Sequence, residues 1–430
     1  YFIINEKGVK METINSLVNK YKLINLFCTL VEIPSPSLRE EKVIKKILEI
    51  FSESGIKAVR DSYGNIRAKI PATDKEKKPL LLSSHIDVVG DDSPINLRLN
   101  ENIIETDKTR TLGADDKAGV AAAILLAQEI VNNKEMKHGG LEIIFTRDEE
   151  QNMTGIHKIK MDEIEAEHIF VMDADKLGQV QISGADYISM QINIKALKGG
   201  HSGIDIDDKT RLNAAKLISE LVNEIPQGVY KKDEFGVVTS INLGVIVGGG
   251  IETAVNNIKN SDIKSNQYID YILDKAVTNV INTKAGAKYS IRSSNREYEN
   301  NLINEIKIII EKFNNKYTGL AIAEMITSEH LPPFEKSEDE TLVNVAKQAG
   351  KNLNLDLDIS SFHAGAETHI YANNKNKYGI QLKPVLIGLA DVYNMHSTDE
   401  QIDYKSYLKG YEFLKELFKV YNKNNLVEHF

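Results

Sequence analysis

Apolar runs that stop abruptly at ionisable residues punctuate the chain. Pro79-Leu-Leu-Leu82 reads as a short buried strand ending at Ser84-His85-Ile86-Asp87, and Leu141 to Thr146 repeats the pattern before Arg147-Asp148-Glu149-Glu150. His168 to Met172 does so again before Asp173-Ala174-Asp175, and Lys383 to Gly388 is a fourth run, followed at a distance by Met395-His396-Ser397. Between the first two lies Asp115 to Ala127, a good helix former whose first turn is expected to carry Asp115 and Asp116 at the positive end of the helix dipole. Earlier, Ser37 and Glu40 have the spacing of a capping box ahead of an apolar face of Val43, Ile44, Ile47, Leu48 and Phe51. Apolar strands alternating with helices predict an α/β domain with a mostly parallel sheet and helices on both faces.

The pattern changes after Gly184. Strand-like Tyr187 to Ala196 leads through Lys198-Gly-Gly-His201-Ser-Gly203 to a helix with Leu212, Ala215, Leu217, Ile218 and Leu221. Strand-like Val237 to Val247, strand-like Ala287 to Ser293, a helix near Leu302 to Phe313 and a strand near Leu320 to Ile326 follow. That is the β-α-β-β-α-β order of a ferredoxin-like α+β sandwich, read as a second domain inserted into the first. The expected division is 11–184 with 329–430 for the first domain and 185–328 for the insertion, counting from Met11, the first methionine. The polar stretch between Gly250 and Asn279 is expected to add a hairpin or a helix to the insertion.

The strand ends carry the chemistry. His85, Asp87, Asp115, Glu149, Glu150, Asp173 and His396 all fall where open α/β sheets place their ligands. Two divalent ions, Zn²⁺ above all with Co²⁺ or Mn²⁺ as alternatives, would use imidazole and carboxylate donors and need one carboxylate to bridge them about 3.5–4 Å apart. Asp115 is the expected bridge, with His85 and Asp173 completing one ion and Glu150 and His396 the other. Asp175 follows the same strand and competes with Asp173. Asp87 is suited to accept the second ring N–H of His85 and fix its tautomer. Glu149 is left free to act as general base on an attacking hydroxide and then as acid toward the leaving amine.

Composition narrows the class. Subtracting 62 acidic from 53 basic residues leaves −9, a field that repels nucleic acid. The most apolar run, Val120 to Ala127, is too short for a membrane span of about 20 residues, so neither a membrane nor nucleic acid is an expected partner. The single cysteine, Cys28, cannot form an intrachain disulfide; it is expected to be a buried structural thiol in a soluble, cytoplasmic protein.

Taken jointly, Ser84-His85-Ile86-Asp87, Leu112 to Gly119, Phe145 to Glu150, Val171-Met172-Asp173, Gly199-Gly-His201-Ser-Gly203 and Asn394-Met-His396-Ser397 resemble the M20 metallopeptidase family. The first half is most similar to its peptidase T (tripeptide aminopeptidase) branch. Lys198 to Gly203 and His363-Ala-Gly-Ala-Glu367 are similar to the aminoacyl-histidine dipeptidase branch. The resemblance implies a zinc-exopeptidase-like catalytic domain, the same metal and base roles, and an insertion that acts as a lid and mediates homodimerisation. It implies that His201 polarises the scissile carbonyl, often from the partner subunit, that Arg292 clamps a substrate carboxylate and that Asn279 contacts the substrate backbone. His363 and Glu367 are left open between substrate contact, support of the ligands and ordinary loop polarity. The expected activity is therefore hydrolysis of tripeptides or dipeptides. An N-acyl amino-acid deacylase of the same fold is the alternative, ahead of a non-catalytic binding paralogue; a related aminopeptidase of cage-like assembly is disfavoured by the ferredoxin-like insertion.

Overall fold

The computed structural model describes residues 3–4, 10–11, 13–249 and 268–424. These form two compact units. One takes the described residues up to Gly184, then Phe334–Phe362 and those from Ala366 on; the other takes those of Ala185–Pro333 together with His363–Gly365.

The first unit is built on an eight-stranded sheet flanked by helices. Across the sheet the strands run Asp358–Phe362, Gln179–Gly184, Lys383–Gly388, His168–Ala174, Leu80–His85, Leu141–Thr146, Ile66–Ile70 and Ala58–Arg60. The four in the middle, from Lys383–Gly388 to Leu141–Thr146, are mutually parallel. Their C-terminal ends therefore share one edge, and the chain segments that carry His85, Glu150, Asp173 and His396 leave the sheet there. Leu80–His85 and Leu141–Thr146 are buried at every position, as strands covered on both faces must be.

Helix Ala114–Asn132 packs on the Leu80–His85 strand and is itself covered by helices Lys22–Val31 and Tyr404–Asn424. Being covered all round explains why Val120 to Ala127 is continuously apolar with no amphipathic stripe. At its start the structure corrects the sequence reading. Asp115 and Asp116 have non-helical dihedrals, so the two carboxylates precede the regular helix instead of decorating its first turn.

The C-terminal helix comes very close to the chain that follows Lys383–Gly388. A Cβ on Gly410 would lie 1.7 Å from the carbonyl oxygen of Leu389, a main-chain atom that cannot yield cheaply. Alanine favours helix by about 1 kcal/mol over glycine, whereas overpacking costs about 1–3 kcal/mol or more; against a backbone atom the second effect wins. Gly410→Ala is expected to lower the thermal midpoint, while exposed Lys409→Ala stays near the parent. Equal midpoints would show that the two segments do not meet so closely.

The second unit has an antiparallel sheet in the order Gly228–Asp233, Gly236–Val247, Lys284–Ser293, Tyr187–Ala196 and Ala321–Leu331. Ile188, Met190, Ile192, Ile194 and Ala196 alternate into a core completed by helices Ala214–Glu224 and Arg296–Lys316 through Leu217, Leu221, Leu302, Ile306 and Phe313. Its four long strands follow the ferredoxin-like order 4-1-3-2. Gly228–Asp233 was not visible in the sequence: Gly-Val-Tyr-Lys-Lys-Asp lacks an apolar alternation, and the strand exists by pairing with Gly236–Val247 across a tight turn. Ala321–Leu331 pairs with Tyr187–Ala196 along its whole length, which carries this unit to Pro333 and past the expected 328. Of the stretch between Gly250 and Asn279, residues 250–267 lie outside the described residues, and Tyr268–Lys275 is helical. No helix among the described residues is long and apolar enough to cross a membrane.

Candidate metal centre

Two triads of donor atoms form at the C-terminal edge of the sheet, and they share one residue. His85, Asp115 and Asp173 make the first; Asp115, Glu150 and His396 make the second. His85 Nε2 lies 3.1 Å from Asp115 Oδ1 and 3.4 Å from Asp173 Oδ1. His396 Nε2 lies 3.1 Å from Asp115 Oδ2 and 3.1 Å from Glu150 Oε2. Each oxygen of Asp115 thus serves a different triad. Asp175 instead offers its main-chain carbonyl to the amide of Val392.

His85, Asp115 and Glu150 are fixed from behind. Nδ1 of His85 faces Asp87, 3.0 Å from its main-chain oxygen and 3.5 Å from Oδ1, which leaves Nε2 toward the site. The Asp87 carboxylate has a second task that its position in the sequence did not suggest: it accepts the amides of Glu149 at 3.0 Å and Glu150 at 3.2 Å, and the Ser37 hydroxyl at 2.7 Å. Burial alone would raise Asp87, but the bonds from His85, Glu149 and Ser37 hold it below the usual carboxylate range. Asp115 is set by Glu400, which accepts its amide at 3.1 Å, that of Gly113 at 2.6 Å and the Thr111 hydroxyl. His396 sits in the left-handed region at φ 60°, in the loop of a hairpin formed by Val392–Tyr393 and Gln401–Asp403; Gln401–Asp403 also pairs with Ile103–Glu105 ahead of Asp115.

Charge is crowded here. Burial raises Glu150 and Asp173 to about 7, with the Asp115 charge adding and His85 opposing. Glu149 is pushed well above its ordinary range by burial, against His85 and with Asp173, Glu367 and Glu150 adding. Asp115 goes the other way: burial would raise it, but hydrogen bonds from His396 and His85 hold it low. Two imidazoles do not balance the carboxylates of Asp115, Asp116, Glu149, Glu150 and Asp173 in a buried place. An all-nitrogen and oxygen donor set with a shared carboxylate and surplus negative charge fits a pair of divalent cations.

Several supporting groups were not singled out by the sequence or were misread. Glu400 is buried, whereas its neighbour Asp399 is exposed and pairs with Lys108; nothing in Thr-Asp-Glu distinguishes them. Glu367, left open above, is a buried carboxylate 3.4 Å from the Ser83 hydroxyl, which in turn bonds Tyr371. Ser37 and Glu40 do not form the expected capping box. Helix Glu41–Glu53 starts without a side-chain cap from Glu40, and Ser37 reaches Asp87 instead.

The other expected residues lie in the second unit. His201 is exposed, and its Nδ1 accepts the amides of Gly203 at 3.1 Å and Ile204 at 3.3 Å, so the ring proton sits on Nε2. Gly200–His201 pairs with Val280–Ile281, and the amide of Ser202 donates to the carbonyl of Asn279, which brings Asn279 beside the His201 loop. Arg292 is not with them. It lies at the far end of Lys284–Ser293, its guanidinium 5.1 Å from the centre of the Tyr187 ring. His363 bonds the Ser240 hydroxyl at 2.7 Å, and Ser240 is the cross-strand partner of Arg292.

Known proteins resemble the chain along most of its length. The profile of peptidase family M20/M25/M40 matches residues 81–420. Peptidase T of Bacillus mycoides is 25% identical over 399 residues, 81% of this chain and 87% of that protein. The solved structure of aminopeptidase PepT from Bacillus cereus superposes with a TM-score of 0.76 at 21% identity, covering 93% of this chain and 98% of its own. Aminoacylhistidine dipeptidase from Vibrio alginolyticus gives a TM-score of 0.67 at 20% identity over 92% and 96%.

Proposed function

Because the chain belongs to peptidase family M20/M25/M40 and is a peptidase T-like, metal-dependent hydrolase, we propose that it is a dinuclear zinc exopeptidase acting on tripeptides or dipeptides. The observation that carries this reading is the pair of donor triads joined through the two oxygens of Asp115. In this reading His85, Asp115 and Asp173 hold one ion, and Asp115, Glu150 and His396 the other. Two such ions would supply Lewis acidity, lowering the pKa of water and polarising the scissile carbonyl.

The chain's own groups do the rest. Glu149 is the proton acceptor, because it stands in neither triad yet lies among the same charges. A carboxylate beside the ions but outside both triads suits a group that must take a proton during attack and return it to the leaving amine. Asp87 keeps His85 oriented and holds the amides of Glu149 and Glu150. His201, with its proton on Nε2, donates to the developing oxyanion, Asn279 contacts the substrate backbone, and Arg292 takes the C-terminal carboxylate as a guanidinium fork.

The separation of these last groups supports a homodimer. From Lys284, near the His201 and Asn279 end, to Arg292 is eight steps along one strand, roughly 25 Å at about 3.3 Å per residue. A tripeptide spans only about 10 Å. His201 and Arg292 of one chain cannot both touch it, so the reading has a second copy supply His201. It also puts the enzyme in the cytoplasm, where Cys28, a buried thiol pushed by burial to about 12, stays reduced and inert.

The test is amino-acid release by the purified protein from Leu-Gly-Gly, Ala-His and N-acetyl amino acids, with and without chelator and added Zn²⁺, Co²⁺ or Mn²⁺. Free amino acids should appear from the peptides, with rates falling by about 100-fold or more in chelator and returning with metal. Peptide turnover indifferent to chelator would overturn the metal reading, and acetate release with inert peptides would transfer it to the deacylase.

A further inference from the structure

We propose that Ser37 and Glu40 are positioning residues of the metal centre, holding the Arg147–Glu150 turn so that Glu149 and Glu150 project into it. The inference rests on the roles given above to Glu149 and Glu150.

The turn needs holding. Asp148 has φ 55° in the left-handed region, and the turn opens a helix of only four residues, Glu149–Asn152, too short to stabilise itself. The amides of Asp148, Glu149 and Glu150 are the unbonded donors that begin such a helix. All three go to carboxylates from elsewhere in the chain. Glu40 Oε1 accepts the amide of Asp148 at 3.2 Å, and Asp87 accepts those of Glu149 at 3.0 Å and Glu150 at 3.2 Å.

One loop controls both carboxylates. Glu40 belongs to it, is fully buried, also accepts the amide of Leu38 at 2.8 Å and forms an ion pair with the Arg147 guanidinium. Ser37 donates to Asp87 Oδ2 at 2.7 Å, the same oxygen that takes the amide of Glu150. The loop is pinned to the strand exit by Ser35, whose hydroxyl donates to the Ile86 carbonyl and whose carbonyl accepts the amide of Val88, and to helix Ala114–Asn132 by Nζ of the buried Lys117, which donates to the Ile33 carbonyl at 2.8 Å. The pair that looks like a capping box in sequence therefore works at a distance. Its hydroxyl orients the carboxylate that orients the turn, and its carboxylate takes the first amide of that turn directly. A hydroxyl lost from Ser37 takes away the bond that fixes Asp87 Oδ2, the oxygen that holds the Glu150 amide, so Glu150 should feel the loss before Asp173 or His85.

The experiment compares Ser37→Ala, Ser37→Thr and Glu40→Gln with the parent chain by Co²⁺ titration, read from the visible absorption of the bound ion, together with kcat and KM. Loss of an outer hydrogen-bond partner costs about 10–100-fold in metal affinity or activity. Ser37→Ala is expected to weaken the second Co²⁺ equivalent about tenfold and leave the first unchanged, with kcat down about tenfold and KM within about twofold. Ser37→Thr keeps the hydroxyl and should restore both. Glu40→Gln should give the same split more strongly; because it also removes the buried carboxylate that pairs with Arg147, Ser37→Ala decides the matter should that variant fail to fold. Parent-like Co²⁺ binding and kcat in Ser37→Ala would overturn the proposal. So would equal weakening of both equivalents with a lowered thermal midpoint and no rescue by threonine, the signature of general destabilisation. Should the peptidase reading itself fail, turnover would be absent from the parent also, and the Co²⁺ titration would still judge Ser37.

Discussion

Replacing Glu149 with glutamine is expected to leave two metals bound per chain and to lower kcat by about 10²–10⁴-fold, the usual worth of a positioned general base. The physical case is that the side chain and the backbone of Glu149 have separate duties. Its amide is fixed by Asp87 whatever the side chain, and its carboxylate belongs to neither donor triad. Glutamine fills the same volume in the same buried place but cannot accept a proton. KM should stay within a few-fold, because the lost interaction is made in the transition state and not in substrate binding. The adjacent Glu150→Gln makes the contrast: it removes a donor of the Asp115–Glu150–His396 triad and should lose an ion. Elemental analysis and steady-state kinetics on both variants separate base from ligand. Turnover of Glu149→Gln within tenfold of the parent, or metal loss equal to that of Glu150→Gln, would remove Glu149 from its role.

What made His85, Asp115, Glu149, Glu150, Asp173 and His396 legible is topology. Each follows an apolar run or a helix start, and a parallel sheet must bring such exits to one edge, so order along the chain predicts proximity in space. The groups behind them give no such signal. Glu400 and Asp399 differ only in which carboxylate turns inward, a choice made by the amides of Gly113 and Asp115 far away in sequence. Ser37 and Glu40 were misread because a local rule, the capping box, is satisfied by spacing alone, whereas the structure satisfies the same groups with non-local partners at Asp87 and Asp148. Gly228–Asp233 was missed for a related reason: a solvent-facing edge strand needs only a neighbour's backbone, and its side chains carry no alternation to read. Ligand positions follow from pattern, but the carboxylates that aim them follow from contacts between segments.

Asp115→Ala is expected to cost both ions at once, which no other ligand substitution does. Each oxygen of Asp115 faces a different histidine, Oδ1 toward His85 and Oδ2 toward His396, both at 3.1 Å. His396→Ala or Asp173→Ala each removes a donor from one triad only, so one ion should remain. The variant should still fold, because the Asp115 backbone is held through its amide and that of Gly113 by Glu400, and neither bond involves the side chain that is removed. Elemental analysis after dialysis should therefore give about two metals for the parent, about one for His396→Ala and well under one for Asp115→Ala. Turnover should fall by more than the about 10–100-fold that an outer partner is worth. The stoichiometry carries the argument more firmly than the activity, since any ligand change can silence the enzyme, whereas only a shared carboxylate couples the two sites. If Asp115→Ala retained one ion as tightly as His396→Ala, the two triads would be independent and the bridge would be wrong.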